Sequence, residues 1–223
     1  MKGLLLLLLA FAMFFIGCSS KNLDSYSDTS AKRSFETIMK INAVCQPCNK
    51  SSYETIIDGK SYKSDVAINC CPNIRKIDTS AGLTKVYLHR VSDLRENQKA
   101  IFVNGSKEAY DLNKRIDSLF FLSLKEELKN RGIVLVNHQT SPYTLRVDFD
   151  FTGFKGVYNP KYENLNSKLY GVLNIKNINY TRHIKISTTQ NVSGLRGTGE
   201  FGIYMDLLVK QAANKAAEEI SKF

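Results

Sequence analysis

The longest apolar stretch lies at the very start of the chain. After a single Lys2, residues Gly3 to Cys18 run almost wholly apolar, and Ser19, Ser20, Lys21 and Asn22 then turn polar. One basic residue, a short apolar run and small residues before a cysteine predict a secretory signal over 1–17. The run stops before the roughly 20 residues that a spanning helix needs. Ser19 to Arg33 is polar and without periodicity, so 18–33 reads as a flexible tether.

Residues 34–80 read as a small separate module. Phe35 to Val44 is apolar in patches and suits a strand or a short helix. Tyr53–Ile57 and Ser61–Ile68 flank Asp58-Gly59-Lys60, and an Asp-Gly step between strand-like runs predicts a hairpin.

From Thr84 the periodicity is that of an α+β domain reaching to Phe223. Lys85 to Val91 alternates as a half-buried strand. Residues 92–108 read as polar loop, with a possible small hairpin at Phe102 to Gly105. Leu112, Ile116, Leu119, Phe120, Leu124 and Leu128 recur at helical spacing and predict a helix over 111–131. Gly132 is its expected C′ residue. Ile133 to Val136 reads as a short buried strand. Tyr143 to Phe151 alternates, with Tyr143, Leu145, Val147, Phe149 and Phe151 expected on the core face. Strands follow over 167–176 and 180–190, joined at Lys176 to Asn179. Gly194, Gly197, Gly199 and Gly202 mark a mobile loop before a last helix over 203–222, packed through Leu208, Ala212, Ala216 and Ile220. The expected architecture is a single, mostly antiparallel sheet with the long helix and the C-terminal helix on one face, preceded by the small hairpin module.

The end of the apolar run, Phe15-Ile16-Gly17-Cys18, resembles the lipobox of bacterial lipoproteins. That resemblance implies a diacylglyceryl thioether on Cys18, cleavage before it, and an acylated new N-terminus with palmitate among its chains. Three chains give stable anchoring, since each buried CH₂ contributes about 0.8 kcal/mol. In such lipoproteins an Asp after the cysteine usually retains the protein at the inner membrane. Position 19 is Ser, so the outer membrane is expected.

Charge narrows the partners. The net charge of +10 falls to about +9 once Lys2 is removed, which favours anionic partners. For an exported protein these are lipopolysaccharide, phospholipid or cell-wall polymer rather than nucleic acid. The late basic stretch Lys168, Lys176, Arg182, Lys185 and Arg196, with Tyr170 and Tyr180 nearby, is the candidate surface for a phosphorylated lipid or glycan. The bland alternative is a set of edge-strand lysines that discourage aggregation.

With Cys18 taken by lipid, Cys45, Cys48, Cys70 and Cys71 remain, an even number in an exported chain. Disulfides tying the hairpin to the preceding loop are the favoured reading, because an isolated hairpin is marginal in water. A zinc site would need a second CxxC instead of adjacent cysteines. A thioredoxin-like pair at Cys45 and Cys48 would need a long helix after it.

No catalytic constellation stands out. His89, His138 and His183 lack partners at metal-ligand spacing. Asp148 and Asp150 share one strand face, which alternation explains as a solvated side. The glycines from 194 to 202 do not form a phosphate loop, so neither enzyme chemistry nor a cofactor is expected.

The order strand, helix ending in Arg131-Gly132, strand, alternating strand, hairpin and Ala-rich closing helix resembles YajG-like outer-membrane lipoproteins, and more distantly the TraT and CsgG types. The residues that carry it are Lys85 to Val91, Leu124 to Gly132, Tyr143 to Phe151 and Ala212 to Ala217. This implies a non-enzymatic, lipid-anchored α/β domain over 84–223, acting as a structural or interaction component of the envelope with envelope proteins as partners. The alternatives are a carrier or assembly factor for lipopolysaccharide or phospholipid and, more remotely, a thiol-redox protein.

Overall fold

A computed structural model describes residues 28–40, 53–57, 60–64, 84–112, 114–195 and 198–223. In chain order these form α1 (Thr29–Lys40), β1 (Tyr53–Ile57), β2 (Lys60–Ser64), β3 (Lys85–Asp93), β4 (Lys99–Val103), β5 (Ala109–Asp111) and α2 (Ile116–Asn130). Then come β6 (Val134–Leu135), β7 (Leu145–Asn159), β8 (Asn164–Lys176), β9 (Thr181–Ser193), a 3₁₀ turn (Thr198–Glu200) and α3 (Phe201–Ile220). Among the described residues the fold is a mixed α/β one, with one main sheet and three helices.

The main sheet has seven strands, and β7 is its spine. β8 pairs antiparallel along the whole of one edge of β7, and β9 pairs antiparallel with β8. Along the other edge β3 and β4 lie end to end, both parallel to β7. β6 extends the sheet beyond β3 in parallel, and β5 extends it beyond β4 in antiparallel. The sheet is therefore mixed: its longest ladders are antiparallel, as expected, and three shorter parallel pairings join them. A chain that returns to the sheet through a long helix, as this one does through α2, can lay its next strand parallel to an earlier one.

β7 alternates buried and open positions from Leu145 to Phe151, then breaks step. Its register with β8 shifts between Phe151 and Gly153, after which Phe154, Gly156 and Tyr158 face the core. A bulge of this kind inserts one residue and reverses the parity of all that follow. Tyr143 is not on the core face as expected; it is 69% exposed, because the chain turns at 141–144 before β7 begins.

The helices cover one face. Phe149 stacks on Phe120 of α2 at 4.1 Å between ring centroids, and Phe151 meets Phe120 edge-on at 5.2 Å. Gly171 of β8 leaves room for that cluster: a Cβ there would collide with the Phe149 ring and stand 3.0 Å from the Asp150 carbonyl oxygen. Leu208, Ala212, Ala216 and Ile220 of α3 are fully buried, as expected. α2 begins later than its periodicity suggests, because Arg115 is extended at φ −80 and ψ 105. It ends as expected on Gly132 at φ 72. Gly132 N–H bonds the Lys129 carbonyl and Ile133 N–H the Leu128 carbonyl, a paired arrangement that satisfies two terminal carbonyls.

α1 corrects the boundary drawn between tether and module at residue 33. Asp28 caps it, accepting the Ser30 N–H at 2.8 Å on Oδ1. Ala31 and Ile38 are fully buried, with Phe35 packed beside them, and the helix lies against α2 and α3. One apolar stripe thus carries residues 29–40 into the main body. β1 and β2 do form the expected hairpin, from Tyr53↔Ser64 to Ile57↔Lys60, as a separate two-stranded sheet. Cys18, Cys45, Cys48, Cys70 and Cys71 lie outside the described residues, so a cysteine-linked module finds no support here.

Candidate functional site

With the helices on one face, the other face of the main sheet is left open. Along the stretch of the β7–β8 ladder from Arg146 to Lys155 its directly opposed pairs are Arg146/Lys176, Asp148/Asn174, Asp150/Val172, Gly153/Tyr170 and Lys155/Lys168. Cations stand opposite cations at both ends, and the acids lie between them. On a sheet, like charges directly opposed are destabilising, so such pairs call for a compensating partner.

The acids are already engaged. Asp148 Oδ1 lies 2.6 Å from His89 Nδ1, and Arg146 Nε lies 3.4 Å from Asp148 Oδ2. Arg146 Nη2 is also 2.9 Å from the same His89 nitrogen. A guanidinium only donates, so Nδ1 cannot serve both neighbours. The shorter contact to a carboxylate places the proton on Nδ1, donating to Asp148. Asp150 accepts from Arg90 Nη2 at 3.1 Å and from Asn174 Nδ2 at 3.1 Å. Asn174 Oδ1 in turn accepts from His183 Nδ1 at 2.5 Å. The result is a polar belt across β3, β7, β8 and β9, with both imidazoles oriented through Nδ1.

The belt pairs these side chains with one another. Among the described residues neither His89 nor His183 bonds a hydroxyl or a thiol, and no group of three His, Cys, Asp or Glu side chains could hold a metal ion. What it does chemically is neutralise Asp148 and Asp150, which leaves the face cationic at its ends.

The candidate basic residues divide. Lys168, Lys176 and Lys185 are exposed on the open face, together with Tyr170 at 43% exposure. Arg182 does not join them: its guanidinium sits 5.1 Å over the Phe223 ring, on the helix side. Tyr180 packs on the same ring at 5.1 Å, so it is not interleaved with the lysines. Arg196 lies outside the described residues. Sequence reasoning missed Lys155, whose ammonium is 4.9 Å from the Phe102 ring, and Arg146. The signal that would have found Arg146 is its place in the alternation of β7; Lys155 follows a bulge that alternation does not announce.

At one end of the face a cleft of about 260 Å³ is lined by Gln139, Pro142, Arg146, Lys176, Asn177 and Ile178. Asn177 Oδ1 accepts the N–H groups of Asn179 at 2.8 Å and Tyr180 at 3.0 Å, and Ile178 N–H bonds the Pro142 carbonyl at 3.0 Å. These bonds fix the β8–β9 turn against residues 139–142.

A family model described as outer membrane lipoprotein MapA matches residues 1–223. Two curated relatives, both named outer membrane lipoprotein MapA and both from Campylobacter jejuni (serotypes O:6 and O:2), are 41% identical over 184 residues. That is 81% of this chain and 84% of theirs. Among solved structures, a protein from Xanthomonas campestris is similar at 9% identity and a TM-score of 0.38, over 68% of this chain and 97% of that one. A likeness so distant bears on neither fold nor function. These findings support an outer-membrane lipoprotein, but not the narrower resemblance to YajG, TraT or CsgG types.

Proposed function

The chain belongs to the outer membrane lipoprotein MapA family, and from that premise we propose a non-enzymatic envelope component, anchored through lipid on Cys18, that acts by presenting its open sheet face to a partner. Its place is the outer membrane. Among the described residues no helix is long and apolar enough to cross a membrane. Acyl chains on Cys18, palmitate among them, would supply the hold. The cysteines at 45, 48, 70 and 71 would then be free to form disulfides in an oxidising compartment.

One observation carries the reading. One sheet face is covered by α2 and α3, while the other is polar, neutralised in its middle and cationic at its ends. A surface so ordered suits recognition better than chemistry. Photo-crosslinking in intact cells tests it. A crosslinker at Ser187 or Thr189 of β9, on the open face, should trap a discrete envelope partner. One at Lys129 of α2 should not. Equal capture from both faces, or from neither, would contradict the proposal.

A further inference from the structure

The cleft beside the β8–β9 turn has an unspent set of donors. Arg146 and Lys176 are directly opposed across the β7–β8 ladder and both line it. Arg146 shares Asp148 with His89, while Lys176 makes no ion pair or hydrogen bond among the described residues. Asn177 has its carbonyl oxygen held by two backbone N–H groups, which leaves its amide N–H₂ as the free end. Gln139 adds a second amide. No carboxylate lines the cleft. Lys176, the guanidinium N–H groups that Arg146 does not spend on Asp148, and two amides offer more donors than the cleft has acceptors, and they ask for an anionic ligand with several oxygens. A carboxylate brings one charge and two oxygens; a phosphate monoester brings about −1.5 to −2 and three oxygens.

The rim is rigid and partly apolar. Thr144 Oγ1 accepts the Ser141 N–H at 3.2 Å and lies 3.1 Å from Thr140 Oγ1, which braces the 139–144 loop. With Ile178 N–H bonded to the Pro142 carbonyl, both walls are tied before any ligand arrives, and preorganisation of this kind favours affinity. Ile178 on one wall is 64% exposed, and Tyr143, next to Pro142 on the other, is 69% exposed. An exposed aliphatic and an exposed tyrosine beside a cationic cleft match a ligand that continues from its phosphate into apolar chain.

We propose that the cleft between Arg146 and Lys176 binds the phosphate monoester headgroup of a membrane amphiphile, with Ile178 and Tyr143 against its apolar part. The folded body begins close in sequence to the proposed anchor. α1 begins at Thr29, and the ten residues from Ser19 to Asp28 can span at most roughly 35 Å from the anchor. Only this proximity rests on the lipid anchor at Cys18; the recognition chemistry does not.

The test uses the full lipidated protein in a nonionic detergent, titrated calorimetrically with water-soluble probes, so that anchoring has no part in the result. Dihexanoyl phosphatidate should bind, more tightly than inorganic phosphate, and dihexanoyl phosphatidylcholine should not. Lys176→Gln should weaken phosphatidate by at least about tenfold, the loss expected for one charge-assisted hydrogen bond. Ile178→Ser should weaken phosphatidate while leaving inorganic phosphate unchanged. Inorganic phosphate bound as tightly as phosphatidate would assign a free-phosphate source and overturn the amphiphile. Unchanged binding in Lys176→Gln, equal binding of phosphatidylcholine, or no binding of phosphatidate would overturn the site. Lys176 holds no partner within the described protein, so its replacement leaves folding intact.

Discussion

Lys114 and Asp206 form the one ion pair in the described protein in which a carboxylate is almost wholly buried. Lys114 Nζ lies 2.6 Å from Asp206 Oδ2 and donates to Ser34 Oγ at 3.0 Å, which ties the loop before α2 to α1 and α3. Asp206 Oδ1 is buried without a partner. Burial raises the Asp206 pKa above its ordinary 3.8, with Lys114 opposing the shift. Above that value the folded carboxyl therefore holds its proton where the unfolded one has released it. Folding then takes up protons, and stability falls as pH rises through the window between the two pKa values. Urea midpoints measured upward from about pH 4 should fall for the native protein relative to Asp206→Asn. Parallel profiles for the two would contradict the assignment. At the open face Asp148 is held by His89 and Arg146, and Asp150 by Arg90 and Asn174.

The elements explain what was legible and what was not. α2 and α3 are readable because each buries a broad apolar stripe, and Gly132 closes α2 by a local rule. The edge contacts of β7 are not readable. Nothing in Lys85 to Val91 or Lys99 to Val103 says that both strands will run parallel to it, because pairing across a helical crossover leaves no local mark. The bulge after Phe151 hides for the same reason that it matters. Once parity reverses, alternation assigns Lys155 to the wrong face. Lys168, Lys176 and Lys185 were legible as outward residues of regular strands. Arg182 was not, since at the start of β9 it shares its side with the buried Ile186 and turns to Phe223. α1 was legible only in part, as a strand or short helix over 35–44, because its stripe is short and its residues are polar between. Ile38 nevertheless is fully buried against the body, so Ile38→Ala should cost about 2–5 kcal/mol in urea unfolding. A change under about 0.5 kcal/mol, the range of ordinary surface substitutions, would mean that α1 does not dock.

At the scale of the whole molecule the design is asymmetric. A helix-covered sheet gives a stable body, and its uncovered face gives a surface that the body does not use. Docking of α1 brings residues 29–33, which the sequence assigned to the tether over 18–33, into the folded body. Family membership places the protein at the outer membrane, and Cys18 is the residue we propose for its anchor. Fractionation of cells expressing the native protein and Cys18→Ala, followed by carbonate extraction, is the most direct test. The native chain should remain with the membranes and Cys18→Ala should appear in the soluble fraction. A Cys18→Ala protein retained as firmly as the native one would contradict a lipid anchor at that residue.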